Sequence, residues 1–483
     1  MKKEIKKKLH NKSYKSDTNK IKTGIPVIVG KTYEMTITHM ESMSEGIGSI
    51  AGYRIFVPYG LLGEKLTVEI VEADNKSARG KILHILQPSP QRVVPACQLY
   101  ETCGGCQLQH LSYEGQLEAK HQQVVDAVMR CCRQKEIKVY PVLGAEEPWN
   151  YRNKMQLPVG KKKNEIVLGC FVQGSHEIID TEDCCIQKQL NNDIANVVRD
   201  TVKKLKISVY DEDRHVGILR YVVGRVSSDN KECMLVLVTA VKELRYAKEL
   251  VKILRSKLPH LVSVQQNVQT YHNNVIMGRE TNLLWGKDTI RDRIGKLTFH
   301  ISPRSFFQIN TKQAEVLYNK ALEYAALTGR ETVIDAYCGT GTITLFLARK
   351  AQKVYGIEIV KPAIFDARKN ARENHIKNVE FIVGDATVVM PSLYHKNVLP
   401  DVIVVDPPRS GCTEAVLKTF ASMGPKRIVY ISCNPESLAR DLAILDKIGY
   451  VATKIQPVDM FPQTYHVECV ALIEPKQQEL PLV

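Results

Sequence analysis

From about residue 313 onward the chain alternates helix-like and strand-like segments, and this regularity restricts the fold more than any other feature. Apolar runs predict strands at 331–336, 353–358, 378–383, 401–405 and 427–432, with helices between them. Such alternation predicts a parallel sheet covered by helices on both faces and joined by right-handed crossovers. Ligands of sheets of this kind bind beyond the carboxyl ends of the strands. Asp335, Glu358, Asp385, Asp406 and Cys433 all fall at or just past predicted strand ends, so they should converge on one crevice.

The first strand runs into Tyr337-Cys338-Gly339-Thr340-Gly341. Gly339 and Gly341 allow a tight turn and close approach of backbone to a ligand. The third glycine of a dinucleotide fingerprint is missing, which disfavours NAD. Glu358 after the second strand can accept hydrogen bonds from ribose hydroxyls, and Asp385 after the third can meet an adenine edge. Loop, Glu358 and Asp385 in this order point to S-adenosylmethionine. Cys433, in Ser432-Cys433-Asn434-Pro435, sits at a later strand end, where a thiolate would act as a nucleophile. Asp406-Pro407-Pro408-Arg409 places a carboxylate and a guanidinium at the neighbouring strand end. His466-Val467-Glu468-Cys469-Val470 alternates as a strand and offers Glu468 as a base.

Upstream, short strands with Gly and Pro punctuation fill residues 26–86 and predict a small β-barrel. Residues 87–300 mix strands and helices, including a helix from Tyr113 to Arg130, as a central α+β domain. The expected organisation is a basic tail over 1–25, the barrel over 26–86, the central domain over 87–300 and the α/β domain over 301–483. The net charge of +15 arises from 67 basic and 52 acidic residues, with lysines concentrated in the first 22 positions. A field of this sign suits a polyanionic partner. The tail lacks the apolar segment of a secretory signal, and no run is long enough for a membrane helix. An odd count of 13 cysteines argues against a disulfide framework and for a reducing cytoplasm.

These strings, together with Phe306-Phe307-Gln308-Ile309-Asn310, resemble the RNA uracil-5-methyltransferase family, in particular the branch acting on 23S ribosomal RNA. The resemblance covers nearly the whole chain beyond the tail. It implies Cys433 as nucleophile and Glu468 as base, with Gln308, Tyr337, Gly339, Gly341, Glu358, Asp385 and Asp406 at the cofactor. It implies that residues 26–86 are an RNA-binding TRAM barrel of oligonucleotide-binding type. It also implies that a helix over about 111–134 packs on the catalytic domain. The expected partner is ribosomal RNA, with transfer RNA as the alternative, no membrane, and a monomeric chain.

Cys97, Cys103 and Cys106 have C-x5-C-x2-C spacing, and Cys184-Cys185 follow far downstream. Three near cysteines and a distant fourth can hold zinc or an iron–sulfur cluster, and spacing does not choose between them. The family resemblance implies a [4Fe-4S] cluster with Cys184 as fourth ligand, although the adjacent Cys185 departs from the usual pattern. Two other readings compete. An exocyclic-amino methyltransferase would use Asp-Pro-Pro followed by an aromatic residue, where this chain has Arg409, and would not need Cys433. A catalytically silent RNA-binding assembly factor would use only the tail and barrel.

Overall fold

The computed structural model describes residues 25–40, 45–132, 137–163 and 165–476. Apart from residue 25, the segment expected to be a disordered basic tail lies outside the described residues. The chain divides into two compact units, one ending at Pro90 and one beginning at Gln91.

In the first unit, the strands β1 (Thr32–Thr36), β2 (His39–Met40), β3 (Glu45–Ile50), β4 (Tyr53–Pro58), β5 (Lys65–Ala73) and β6 (Ser77–Gln87) form one sheet in the order β1-β5-β6-β4-β3-β2. Strand alternation sends Met35, Ile55, Val57, Leu66, Val68 and Ile70 into a core belonging to this unit alone. The sheet curls until β1 comes close to β3. The predicted glycine stretch permits this approach, since a Cβ on Gly48 would lie 2.7 Å from the Thr36 carbonyl oxygen.

The second unit begins with the cysteine-bearing segment and α1 (Tyr113–Cys131), capped by the Ser112 hydroxyl, which accepts from Gly115 N at 3.1 Å. Next come β7 (Lys138–Val139), β8 (Lys154–Lys162), β9 (Glu165–Phe171), β10 (Ile178–Asp180), α2 (Gln189–Lys204), β11 (Leu219–Val226), β12 (Cys233–Thr239), α3 (Ala247–Lys257), β13 (Leu261–Val268) and β14 (Glu280–Gly286). Strands β8 to β14 build a seven-stranded sheet, order β10-β9-β8-β11-β12-β13-β14. Helices α2 and α3 bury one face of it through Ile194, Val198, Leu250 and Leu254. Val223, Met234, Val236 and Val238 of the other face share a continuous core with Phe299, Phe307, Leu317 and Phe346. A hairpin of β15 (Ile290–Ile294) and β16 (Leu297–Ile301) then leads into α4 (Thr311–Ala325).

From there the predicted alternation is present: β17 (Thr332–Asp335), α5 (Thr342–Ala348), β18 (Lys353–Glu358), α6 (Lys361–Glu373), β19 (Val379–Val383), α7 (Ala386–His395), β20 (Val402–Val405), α8 (Glu414–Met423), β21 (Arg427–Ser432), α9 (Pro435–Lys447), β22 (Tyr450–Val458) and β23 (Glu468–Pro475). The sheet order is β19-β18-β17-β20-β21-β23-β22-β7. Val402, Ile403, Val404 and Val405 are all buried, as a strand covered on both faces requires. Strand β23 is antiparallel to both β21 and β22. Helix α1 lies against α9, where Arg130 pairs with Glu436. The sequence reading starts the last strand at His466, but β23 begins at Glu468. A turn intervenes, in which the Thr464 hydroxyl accepts from His466 N at 3.3 Å and donates to Phe461 O at 2.8 Å.

Candidate active site

The carboxyl end of the parallel strands is built from short turns that fix each side chain. Asp335 ends β17 and is fully buried, accepting a 2.6 Å hydrogen bond from the Thr344 hydroxyl. Burial pushes its carboxyl up to about 7. The backbone then turns through Gly339 and Gly341, with φ of 53° and 82°, conformations that favour glycine. Glu358 ends β18, and its two oxygens accept from Gly339 N at 3.2 Å and Val360 N at 2.8 Å. It therefore braces the glycine loop as well as bordering the crevice. Asp385 is exposed and caps α7, accepting from Thr387 N at 2.8 Å and the Thr387 hydroxyl at 2.6 Å. Tyr337 is half-buried and shares a hydrogen bond with Cys412, and burial raises its phenol above the ordinary range. Gln308 is buried on the approach to α4, with its carbonyl accepting from Asn153 Nδ2 at 2.9 Å. Thr340 donates to the carbonyl of Phe306 at 3.4 Å, which ties the glycine loop to the 306–310 segment.

Cys433 and Glu468 come together through strand register. Antiparallel partners Ile431↔Val470 and Ser432↔Cys469 end the β21–β23 ladder, so the next positions across it are Cys433 and Glu468. Residues opposite one another on such a pair share a face, with Cβ atoms roughly 4.5–5.5 Å apart. Each also lies within the electrostatic reach of its neighbours in the crevice. Burial, Glu468 and Asp406 push the Cys433 thiol up to about 11, while Arg409 opposes them. Burial and Asp406 likewise push Glu468 up to about 8, again opposed by Arg409. Asp406 is raised to about 7 by burial and by Asp335. The cause is shared: carboxyls gathered in a dehydrated crevice cannot all ionise cheaply. Asn434 stiffens the turn after Cys433, donating from Nδ2 to Arg409 O at 3.1 Å and capping α9 by accepting from Glu436 N at 3.1 Å.

The cysteine-bearing segment is folded into the second unit. Cys97 N donates to Gln109 Oε1 at 3.0 Å, and Gly104 N to Phe171 O at 3.2 Å. Burial and the neighbouring Cys184, Cys103 and Cys97 push Cys106 up to about 12. Cys184 in turn is raised by burial and also feels Cys103 and Cys97. Thiols from both predicted segments thus influence one another electrostatically. Among the described residues, no three Cys, His, Asp or Glu side chains are gathered closely enough to hold a metal ion.

Sequence reasoning missed Cys170, which hydrogen-bonds to Cys103 and thereby lowers that thiol. It also missed Thr344 beneath Asp335, and the buried pair of Lys120 with Asp459 at 2.6 Å. The pair had a signal: Gln116, Lys120, Val124 and Val128 recur every four residues and form one buried stripe of α1.

Residues 26–83 match the TRAM domain. The fold resembles the crystal structure of a Pyrococcus abyssi tRNA (uracil-54, C5)-methyltransferase in complex with S-adenosyl-L-homocysteine, with TM-score 0.73 and 30% identity, covering 91% of this chain and 99% of that one. Fold and crevice define the class: a S-adenosylmethionine-dependent RNA methyltransferase. Residues 112–476 match the family tRNA (uracil-5-)-methyltransferase, and the chain belongs to that family. Relatives named uncharacterized RNA methyltransferase occur in Clostridium tetani, 48% identical over 94% of this chain and 98% of theirs, and in Halalkalibacterium halodurans, 47% identical over 93% and 98%. Among the described residues no helix is long and apolar enough to cross a membrane.

Proposed function

We propose that this protein methylates carbon 5 of a uridine in 23S ribosomal RNA through a covalent adduct between Cys433 and carbon 6 of the base. The observation that supports the reading is the β21–β23 register, whose last pair, Ser432↔Cys469, leaves Cys433 and Glu468 as the next positions at the end of the ladder. Carbon 5 of uracil is a poor nucleophile. Addition of the Cys433 thiolate at carbon 6 turns the ring into an enolate whose carbon 5 can take a methyl group. Glu468 then removes the carbon 5 proton, the enolate re-forms, and the Cys433 thiolate leaves. S-adenosylmethionine, when bound, supplies an electrophilic methyl group. Gln308, Tyr337, Gly339, Gly341, Glu358, Asp385 and Asp406 are assigned to hold it. Ile359, 63% exposed directly after Glu358, offers an apolar surface for its adenine.

Cys97, Cys103, Cys106 and Cys184 are assigned to hold a [4Fe-4S] cluster, whose contribution would be to cross-link the segment rather than to exchange electrons. Cys184 is preferred to Cys185 because it is among the largest electrostatic influences on Cys106 and itself feels Cys103 and Cys97, whereas Cys185 feels Cys97 and Cys184. A cytoplasmic location is part of this reading, supported by the RNA-modifying family to which the chain belongs. Transfer RNA is the second reading, favoured by the substrate of the Pyrococcus enzyme. Mapping 5-methyluridine in both RNA pools of a deletion strain decides between them. The chemistry is tested with 5-fluorouracil RNA and S-adenosylmethionine. A denaturation-resistant adduct should form, because fluorine cannot leave as a proton, and Cys433→Ala should abolish it. Survival of the adduct in that variant would remove Cys433 from the mechanism.

A further inference from the structure

Residues 459–467 connect β22 to β23 and deliver Glu468 to the crevice. Val458 pairs with Glu468 across this hairpin, so Asp459 is the first residue beyond the base's own partner. Asp459 is fully buried, and its cation, Lys120 of α1, is 1% exposed and 2.6 Å away. Lys120 Nζ also donates to Phe461 O at 3.2 Å, and Tyr113 OH donates to the second Asp459 oxygen at 2.9 Å. One turn along the same helix stripe, Gln116 Nε2 donates to Gln463 Oε1 at 3.1 Å, and its Oε1 accepts from Gln463 N at 3.0 Å. Gln463 holds a left-handed φ of 70°, unusual for a residue with a side chain. Its carbonyl accepts from Gln107 N at 2.9 Å and Leu108 N at 3.0 Å, directly after Cys106.

Burying an ion pair costs several kcal/mol per ion in desolvation, and well-packed apolar residues would serve stability as well or better. Such a pair is best used to select one arrangement over others. Here Lys120, Tyr113 and Gln116 all hydrogen-bond to the loop that ends at Glu468, while Tyr113 also accepts from Ala145 N and Gln116 also donates to Leu108 O and Leu111 O. We propose that Lys120, Tyr113 and Gln116 are positioning residues that fix Glu468 for removal of the carbon 5 proton, without touching substrate. This rests on the base role proposed for Glu468. It also gives the cysteine-bearing segment a place in the reaction, since that segment holds the other side of Gln463.

The test separates methyl transfer from release of the enzyme. Tyr113→Phe, Gln116→Leu and the charge-neutral double variant Lys120→Met with Asp459→Asn are compared with wild type and Glu468→Gln on ordinary uridine RNA. Single-turnover methyl transfer into the covalent complex should stay within about twofold of wild type. Release should slow by about 10- to 100-fold, the scale that a misplacement near 1 Å produces, and denaturation-resistant methylated complex should accumulate. Should the double variant fail to bind S-adenosylmethionine by calorimetry, Tyr113→Phe and Gln116→Leu decide the outcome. Methyl transfer and release falling by the same factor in those two would overturn the proposal, as would unchanged release in all. If Glu468→Gln itself releases RNA normally, the base assignment has failed instead.

Discussion

Glu468→Gln removes a titratable group while keeping its shape, and its consequences can be worked through for both stability and catalysis. Glu468 is 5% exposed, and burial beside Asp406 raises its carboxyl from 4.5 to about 8. A carboxyl whose folded-state pKa exceeds its unfolded value favours folding fully below the unfolded value, and this contribution is lost as pH rises to the folded one. At about 1.4 kcal/mol per tenfold change in proton affinity, the loss reaches about 3 kcal/mol at neutral pH and up to about 5 kcal/mol near pH 9. Glutamine has no proton to lose. The stability of Glu468→Gln relative to wild type should therefore grow along a series at about pH 5, 7 and 9, read as urea midpoints at constant slope. The same variant should lose turnover by about 10²–10⁴-fold, the usual contribution of a general base, and accumulate a covalent methylated RNA complex. A stability difference that does not change with pH would refute the buried, neutral carboxyl. Full turnover would assign the base elsewhere.

Arg409 is the cation that lowers both Cys433 and Glu468. Arg409→Gln should therefore move the rising limb of the pH–rate profile to higher pH, leaving the variant slowest relative to wild type at neutral pH; an unmoved limb would count against this balance. Anaerobically purified protein should carry iron in excess of zinc, and Cys184→Ser should lose it while Cys185→Ser retains it, as read by metal analysis and absorption near ~400 nm. The reverse result would exchange the two ligands. Deleting residues 1–22 should weaken RNA binding and flatten its salt dependence, by about 0.7–0.9 in log–log slope for each phosphate that is no longer neutralised. S-adenosylmethionine affinity, measured by calorimetry, should not change.

The parallel sheet was legible because its strands are continuous apolar runs that stop at Gly, Pro or acidic residues. Val402 to Val405 followed by Asp406-Pro407-Pro408 shows strand and boundary together. The barrel was legible by its alternation and its glycine turns. What the sequence did not show is long-range polar pairing. Asp459 is 339 positions from Lys120, and nothing local marks Asp459 as buried. Only the interruption of the α1 apolar stripe by Gln116 and Lys120 carries that information, and it does not name their partners. Cys170 escaped notice for a related reason: it lies alone in β9, outside any cysteine spacing, and meets Cys103 only when the chain folds.

The meeting of Cys433 and Glu468 depends on a departure from parallel order in this half of the sheet. In parallel strands the carboxyl ends collect at one edge, so a strand start cannot lie there. Strand β23 runs the other way between β21 and β22, which brings its first residue, Glu468, to the edge where β21 ends. A slip of one residue in the β21–β23 register would turn the carboxylate to the opposite face of the sheet. The ladder itself resists that slip, because Cys469 and Ala471 belong to the core on one face while Val470 and Leu472 belong to the core on the other. Core packing thus sets the face on which Glu468 emerges. It leaves the conformation of the preceding turn free, and the buried contacts of Asp459 and Gln463 determine that remaining variable.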